Sequence, residues 1–375
     1  MSILLNSIKK NLEKYLEAKL PSYIYDYLVV KYSHFVSKDK KQIYCLPYFY
    51  RREKSLKKYC IFRFDVKGYG LSAVVRNCIF AFDWAEERGY IPIVDIEYEY
   101  DFFRNILGEN NPWEYIFEQI SVKDVVKENW VLVKDLGNYR CWRESTCLYI
   151  NGNKDDHLIH LVRSDSWREY FKRVHFYFRK FFSFKREIID MICEEFSEIM
   201  EGKEKVLGVA IRENFTAVIG DKLKEKEVSK VLAKHPLTIN TEDAIPIIEE
   251  KLIAWKCDKL FLSTDTEESL NLFKKTFGEK LLHLPRDRRN IKDYIILNSL
   301  FSAPPKEYYD TCKKMGYYDK IIDNEIAYAK EILLLSHCTS FVGAPSGSTI
   351  LSMIFNGGIY ENIYFLPDLN ESNLY

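Results

Sequence analysis

Apolar residues recur along this chain with two different periods, and the switches between them predict its elements. At the N-terminus Leu4, Ile8, Leu12 and Leu16 repeat at helical spacing with Lys9, Lys10 and Lys14 between them. The pattern predicts an amphipathic helix docked on the body, with attachment to an anionic membrane surface as the alternative. Tyr59–Phe64 reads as a strand, Lys67-Gly68-Tyr69-Gly70 as a turn, and Ser72 as the cap of a helix running to about Arg88. Val74, Val75, Cys78, Ile79, Phe82 and Ala85 form its apolar stripe, Gly89 ends it, and Ile91–Ile96 is the next strand. Short strands are expected at 130–133 and 147–150. Ser166-Trp167-Arg168-Glu169 has the form of a capping box before a long helical region, and Lys185–Met200 continues as helix. The polar break Gly202-Lys203-Glu204-Lys205 marks the expected domain boundary, dividing the chain into 1–203 and 204–375.

Beyond that break strands and helices alternate. Val206–Ile211 is a strand, 241–255 a helix and Lys259–Ser263 a strand. Thr264-Asp265-Thr266-Glu267 resembles a capping box for a helix to Phe277. Leu281–Leu284 follows as a strand, then an irregular stretch, a helix at 325–336 and a strand at 340–342. The turn Gly343–Ser348 opens a last helix, Thr349–Phe355. Such alternation predicts an α/β chain with parallel sheets covered by helices, and both halves read as Rossmann-like units. The first turn is only G-x-G and lacks the third glycine of a dinucleotide site.

Ligands of such sheets sit beyond the carboxyl ends of the strands. Three features fall there. Arg212 ends the strand 206–211 and carries a rigid fork of donors suited to phosphate oxygens. Asp265 follows the strand 259–263. Ser346, Gly347 and Ser348 lie at a helix N-terminus, where free N–H groups favour phosphate. Each also has an ordinary structural reading as a surface arginine or a helix cap. No P-loop pattern and no D-x-D occurs, so neither an ordinary NTPase nor metal clamping of a diphosphate is expected. Arg286, Arg288 and Arg289 form a basic run in a long loop and are expected to be solvated.

Composition narrows the class. Fifty-five basic residues balance 55 acidic ones, which removes the electrostatic case for nucleic acid. The nine cysteines show no C-x-x-C pattern and irregular spacing, so reduced thiols in a cytoplasm are expected rather than disulfides or zinc. No run approaches the roughly 20 apolar residues of a membrane span, and a secretory leader is not expected.

The ordered motifs resemble the α1,6-fucosyltransferase family, and more distantly the α1,2- and protein O-fucosyltransferases. Gly68-Tyr69-Gly70 with its helix and following strand resembles the family's first βαβ motif. Asn111–Glu118 resembles a W-E-x-x-F segment, and Val209-Ala210-Ile211-Arg212 stands where the family has H-x-R-R. His235-Pro236, Phe261–Asp265 and Leu335–Cys338 with Phe341, Val342 and Ser346 resemble the later blocks. The resemblance spans roughly 59–355 and implies a GT-B architecture, two Rossmann-like domains with parallel sheets facing across a cleft. It implies an inverting glycosyltransferase with GDP-fucose as donor, no metal requirement, and a bacterial surface glycan or oligosaccharide as acceptor. The cysteine usage sets the expected location as the cytoplasm, with the inner face of the cell membrane as the site of any peripheral association.

Residue by residue, the resemblance assigns donor binding to Gly68, Tyr69, Gly70, Arg212, Asp265, Glu331, Ser346, Gly347 and Ser348. Arg212 would neutralise the leaving diphosphate and Glu331 would accept from guanine N–H groups. Asp221 is the expected general base, with Glu213, beside Arg212, the second carboxylate candidate and His235 a further one. Two departures stand out: the family histidine is Ala210 and its second arginine is Glu213. They leave open a catalytically silent nucleotide- or glycan-binding protein, or a transferase with another nucleotide sugar. The SH3-like module of the eukaryotic enzyme is not expected.

Overall fold

The structure is a computed structural model that describes residues 57–63, 71–96, 111–125, 129–134, 167–200, 205–212, 240–299, 305–344 and 346–366. The strand expected at 147–150, the helix expected near Leu4–Leu16, the turn Gly68-Tyr69-Gly70, Glu213, Asp221 and His235 lie outside the described residues.

In chain order the elements are β1 (Lys58–Arg63), α1 (Leu71–Glu87), β2 (Ile91–Asp95), a 3-10 turn (Pro112–Tyr115), α2 (Val122–Val125) and β3 (Asn129–Lys134). There follow α3 (Trp167–Phe181), α4 (Arg186–Met200), β4 (Val206–Ile211), α5 (Thr241–Ala254), β5 (Lys259–Thr264), α6 (Glu267–Phe277) and β6 (Leu281–Leu282). The last are α7 (Ile291–Ser299), α8 (Pro305–Lys314), α9 (Ile321–His337), β7 (Ser340–Gly343), α10 (Gly347–Asn356) and β8 (Asn362–Phe365). The chain is α/β, with two separate parallel sheets, as the alternating pattern predicts. The stretch read as irregular before 325 holds α7 and α8, and α9 begins four residues earlier than its apolar pattern.

The first sheet has the order β2-β1-β3, with Ile61 opposite Ile93 on one side and Leu132 on the other. Tyr59, Ile61 and Ile93 pack with Val122 and Val125 of α2. The Gln119 side-chain amide pins β2 by exchanging two hydrogen bonds with Val94, donating to its carbonyl at 2.9 Å and accepting from its N–H at 3.1 Å. The block Asn111–Glu118 forms a buried aromatic knot. Trp113 stacks on Phe117 at 4.3 Å, and Phe182 meets both rings edge-on. The sequence signature W-E-x-x-F is therefore a packing motif here.

The second sheet has the order β6-β5-β4-β7-β8, all parallel. The chain winds outward one way from β4 through β5 to β6, then returns to the other side of β4 for β7 and β8. The reversal falls between β4 and β7, so their carboxyl ends frame the crevice typical of nucleotide sites in doubly wound sheets.

The two faces of β4 are chemically distinct because side chains alternate across a strand. Leu207, Val209 and Ile211 face α5 and α6, where Ile248, Leu252, Leu270 and Phe273 complete a core. Gly208 and Ala210 face α9. A Cβ on Gly208 would stand 3.1 Å from Cys338 Cβ and 3.2 Å from Leu335 Cδ2, so the missing side chain lets α9 approach β4. Arg212 continues this second face just past the strand. Gly343 is tighter still, since a Cβ there would meet Thr349 Oγ1 at 2.6 Å and the Phe341 ring at 2.9 Å. Gly343→Ala is therefore expected to lower stability by about 1–3 kcal/mol, the usual range for overpacking, measured as a shift in urea midpoint.

The helical pair α3–α4, read from the sequence as the end of the first domain, packs on α9 and α10 and groups with the five-stranded sheet. His175 of α3 bonds the Ile354 carbonyl at 2.8 Å, and Arg168 donates to the Gly358 carbonyl at 3.2 Å.

Candidate anion site at the sheet switch point

Arg212 leaves β4 on the face shared with Gly208 and Ala210, which directs it toward α9. It is half-buried, and its Nε is buried without a hydrogen-bond partner among the described residues. Burial opposes its charge, but Tyr294 and Asp265 outweigh that and hold its pKa above the ordinary value. A fork donor left unmatched at the mouth of a parallel sheet is what an incoming phosphate oxygen would satisfy.

Asp265 is the hub beside it. Its Oδ1 accepts from Arg286 Nη2 at 3.0 Å and its Oδ2 from the Tyr294 hydroxyl at 3.0 Å. Burial pushes this carboxyl up, yet Arg286, Arg212 and the two hydrogen bonds hold it below its usual 3.8. The folded state therefore favours the ionised form, and the resulting stability is present above about pH 4 and lost as pH falls through the lower native value. We expect the stability difference between wild type and Asp265→Asn to stay constant from about pH 7 to pH 5 and to shrink below about pH 4. Urea midpoints across that range give the measurement.

The structure reassigns several residues. Arg286 and Arg288, expected to be solvated, are 8% and 3% exposed. Arg288 Nη2 donates to Glu331 Oε1 at 2.6 Å, and Arg286 Nε lies 3.3 Å from the same oxygen. Both arginines also donate to the Thr264 carbonyl, at 2.7 and 3.1 Å. Glu331 is fully buried, and its other oxygen accepts from Ser263 Oγ at 2.8 Å. Burial raises its pKa against the pull of Arg286, Arg288 and Ser263. Both of its oxygens are engaged inside the protein, where Glu331 holds the two arginines.

Thr264 is also not a cap. Thr266 is, with its Oγ1 accepting from Ser269 N, so the helix signal sits two residues later than the Thr264–Glu267 spacing suggests. Ser346 is 1% exposed and caps α10 by accepting from Thr349 N, so its hydroxyl serves the helix.

Gly347 and Ser348 form the first turn of α10. Ser348 bonds Tyr328, whose hydroxyl also acts on Arg212, so Tyr328 links the start of α10 to the end of β4. Ser72, in the first turn of α1, comes so close that a Cβ on Gly347 would stand 3.3 Å from its Cβ. Two helix N-termini thus adjoin, and both present positive dipole ends.

Sequence reasoning did not single out Tyr294 or Tyr328. Glu325, Tyr328 and Glu331 recur on one face of α9 at helical spacing, running from solvent inward. Glu325 keeps exposed surface, yet surrounding protein raises its pKa while Arg289 and Arg286 pull it down. The signal available was a carboxylate, Glu331, directly before the apolar run Ile332–Leu335, which is costly to bury unless paired. Among the described residues no group of three or more His, Cys, Asp or Glu is placed to hold a metal, and no helix is long and apolar enough to cross a membrane.

No protein-family model and no curated protein sequence matches the chain. Among solved structures it is similar to fucosyltransferase NodZ from Bradyrhizobium, at 14% identity and a TM-score of 0.40, covering 78% of this chain and 91% of that one. It is also similar to NodZ α1,6-fucosyltransferase soaked with GDP-fucose, at 13% identity and a TM-score of 0.38, covering 80% and 93%. A third is POFUT1 in complex with GDP-fucose, at 11% identity and a TM-score of 0.39, covering 84% and 99%.

Proposed function

We propose that the chain is an inverting glycosyltransferase that takes GDP-fucose as donor, needs no metal, and passes the sugar to a hydroxyl of a bacterial surface glycan or oligosaccharide in the cytoplasm. The observation that carries this reading is the Arg212 guanidinium at the β4–β7 switch, with a buried Nε that has no hydrogen-bond partner among the described residues. The choice of fucose and guanine comes from the ordered sequence blocks that resemble the α1,6-fucosyltransferase family.

In the proposed reaction the acceptor oxygen attacks the anomeric carbon from the side opposite the phosphate. The bond from that carbon to the β-phosphate oxygen breaks, and its electron pair leaves with GDP. Arg212, with the N–H groups at the start of α10, offsets the charge that grows on the diphosphate. Gly347 and Ser348, with the turn Gly68-Tyr69-Gly70 before α1, complete the donor site. Asp265 steers Arg212 and keeps it charged. The hydroxyl proton goes to a carboxylate, for which Asp221 is proposed first and Glu213 second.

Ala210 favours a second reading. It is 1% exposed and stands where the family has a histidine, so no imidazole serves the donor from this strand. A silent nucleotide-binding protein would fit that loss. Incubation with a panel of nucleotide sugars, with and without EDTA, tests the proposal alongside calorimetry with GDP and UDP. The expected result is turnover of GDP-fucose unchanged by EDTA, and tighter binding of GDP than UDP. GDP binding without transfer or donor hydrolysis would establish the silent reading, and a UDP preference would move the donor to another class.

A further inference from the structure

We infer that a cavity between the aromatic knot, the start of α4 and the start of α9 binds a saccharide and, on the reading proposed above, a sugar ring of the acceptor. Its volume is about 500 Å³, inside the roughly 300–1,000 Å³ usual for small-molecule pockets. Backbone pairing holds two of its walls together. Phe117 and Phe184 form an antiparallel bridge, Glu118 N donates to the Ser183 carbonyl at 2.7 Å, and Lys185 N donates to the Ile116 carbonyl at 2.9 Å. Tyr115, Ile188 and Met191, with Ile326 of α9, supply the apolar part of the lining. Glu114, Lys185 and Glu187 supply the polar part.

The lining selects the ligand. Trp113 and Phe117 flank Tyr115 in sequence and stack on each other inside the knot at 4.3 Å. Tyr115 is half-buried at the cavity instead, and among the described residues it pairs with no other ring. The side chains of Lys185 and Glu187 have no hydrogen-bond or ion-pair partner among the described residues. An aromatic ring beside aliphatic side chains suits the C–H face of a pyranose. Its hydroxyls can donate to a carboxylate and accept from an ammonium. Two carboxylates against one ammonium leave the lining acidic, which disfavours a phosphate or another anion. A hydrocarbon ligand would strip water from these charges without bonding them. The place in the fold suits an acceptor. Ile326 follows Glu325, whose carboxyl lies in the field of Arg286, Arg289 and Asp265, and Asp265 also acts on Arg212. Neighbouring residues of α9 therefore border the cavity and the anion site. None of the cavity residues belongs to the proposed donor site.

Saturation-transfer NMR on the full chain tests the inference, with maltose, cellobiose, lactose and N-acetyllactosamine as probes and tyramine as a competing amphipathic cation. At least one saccharide is expected to bind. Tyr115→Ala should weaken that binding about tenfold. Glu187→Gln, at an exposed position that the fold tolerates, should weaken it about fivefold. Met191→Trp fills the space and should abolish it, with urea midpoints showing that each variant is folded. Calorimetry with GDP on the same variants should be unchanged. Saccharide binding that responds to these variants, in a protein that turns over no nucleotide sugar, keeps the cavity and overturns the transferase reading alone. No saccharide binding, saccharide binding that survives Met191→Trp and Glu187→Gln, or binding of tyramine alone overturns the inference.

Discussion

Replacing Arg212 by alanine is expected to slow sugar transfer about 100- to 1000-fold, the usual effect of removing one preorganised donor from a developing anion. The folded protein should lose little. Asp265 keeps its bonds to Arg286 at 3.0 Å and to Tyr294 at 3.0 Å without Arg212, so no carboxylate is left unpaired. That asymmetry separates the proposed role from a structural one. An arginine held for stability would, when removed, shift the urea midpoint and leave kcat proportionate to the folded fraction. Arg212→Lys is expected to recover only part of the rate, because an ammonium supplies charge without the planar fork. The measurements are kcat and KM for donor turnover, GDP affinity by calorimetry and urea midpoints, all on the same variants. Full activity in Arg212→Ala would remove the site assigned here.

Much of the fold is legible in the sequence because it is local. Val206–Ile211 and Lys259–Ser263 are short apolar runs, and both form fully parallel strands. Ser346 and Gly357 bound α10 as a cap and a left-handed terminator, signals carried by one residue each. Which residue caps α6 was harder, since Thr264 and Thr266 both satisfy the composition rule and only the register of β5 decides. The candidate site is less legible because its partners are far apart in sequence. Arg288 and Glu331 are 43 residues apart, and no periodicity links a basic loop to a helix face at that distance. A run of three arginines in four residues reads as solvated surface until two of them are seen sealed against Glu331 and the Thr264 carbonyl. Arg212 itself was legible, because its strand supplies both its position at the sheet edge and the small residues, Gly208 and Ala210, on its face.

Glu331→Gln is expected to destabilise the protein by about 3–5 kcal/mol, a large share of the roughly 5–15 kcal/mol typical of a folded chain. The amide keeps the shape and can still bond Ser263, so the change isolates the charge. What remains is Arg288 at 3% exposure and Arg286 at 8%, with Arg286 still bonded to Asp265 and Arg288 stripped of the carboxylate it bonds. Removing one partner of a buried pair is far worse than removing both, because the survivor keeps its desolvation penalty. Arg288→Met combined with Glu331→Leu should therefore recover much of the stability lost in Glu331→Gln alone. The same variants separate the structural role from the guanine contact that the sequence resemblance implies. If Glu331 read the base, Glu331→Gln would change the preference between GDP and other diphosphates while leaving the urea midpoint in place. The buried geometry predicts the opposite pattern: a large midpoint shift, and an unchanged GDP-to-UDP preference in the fraction that remains folded.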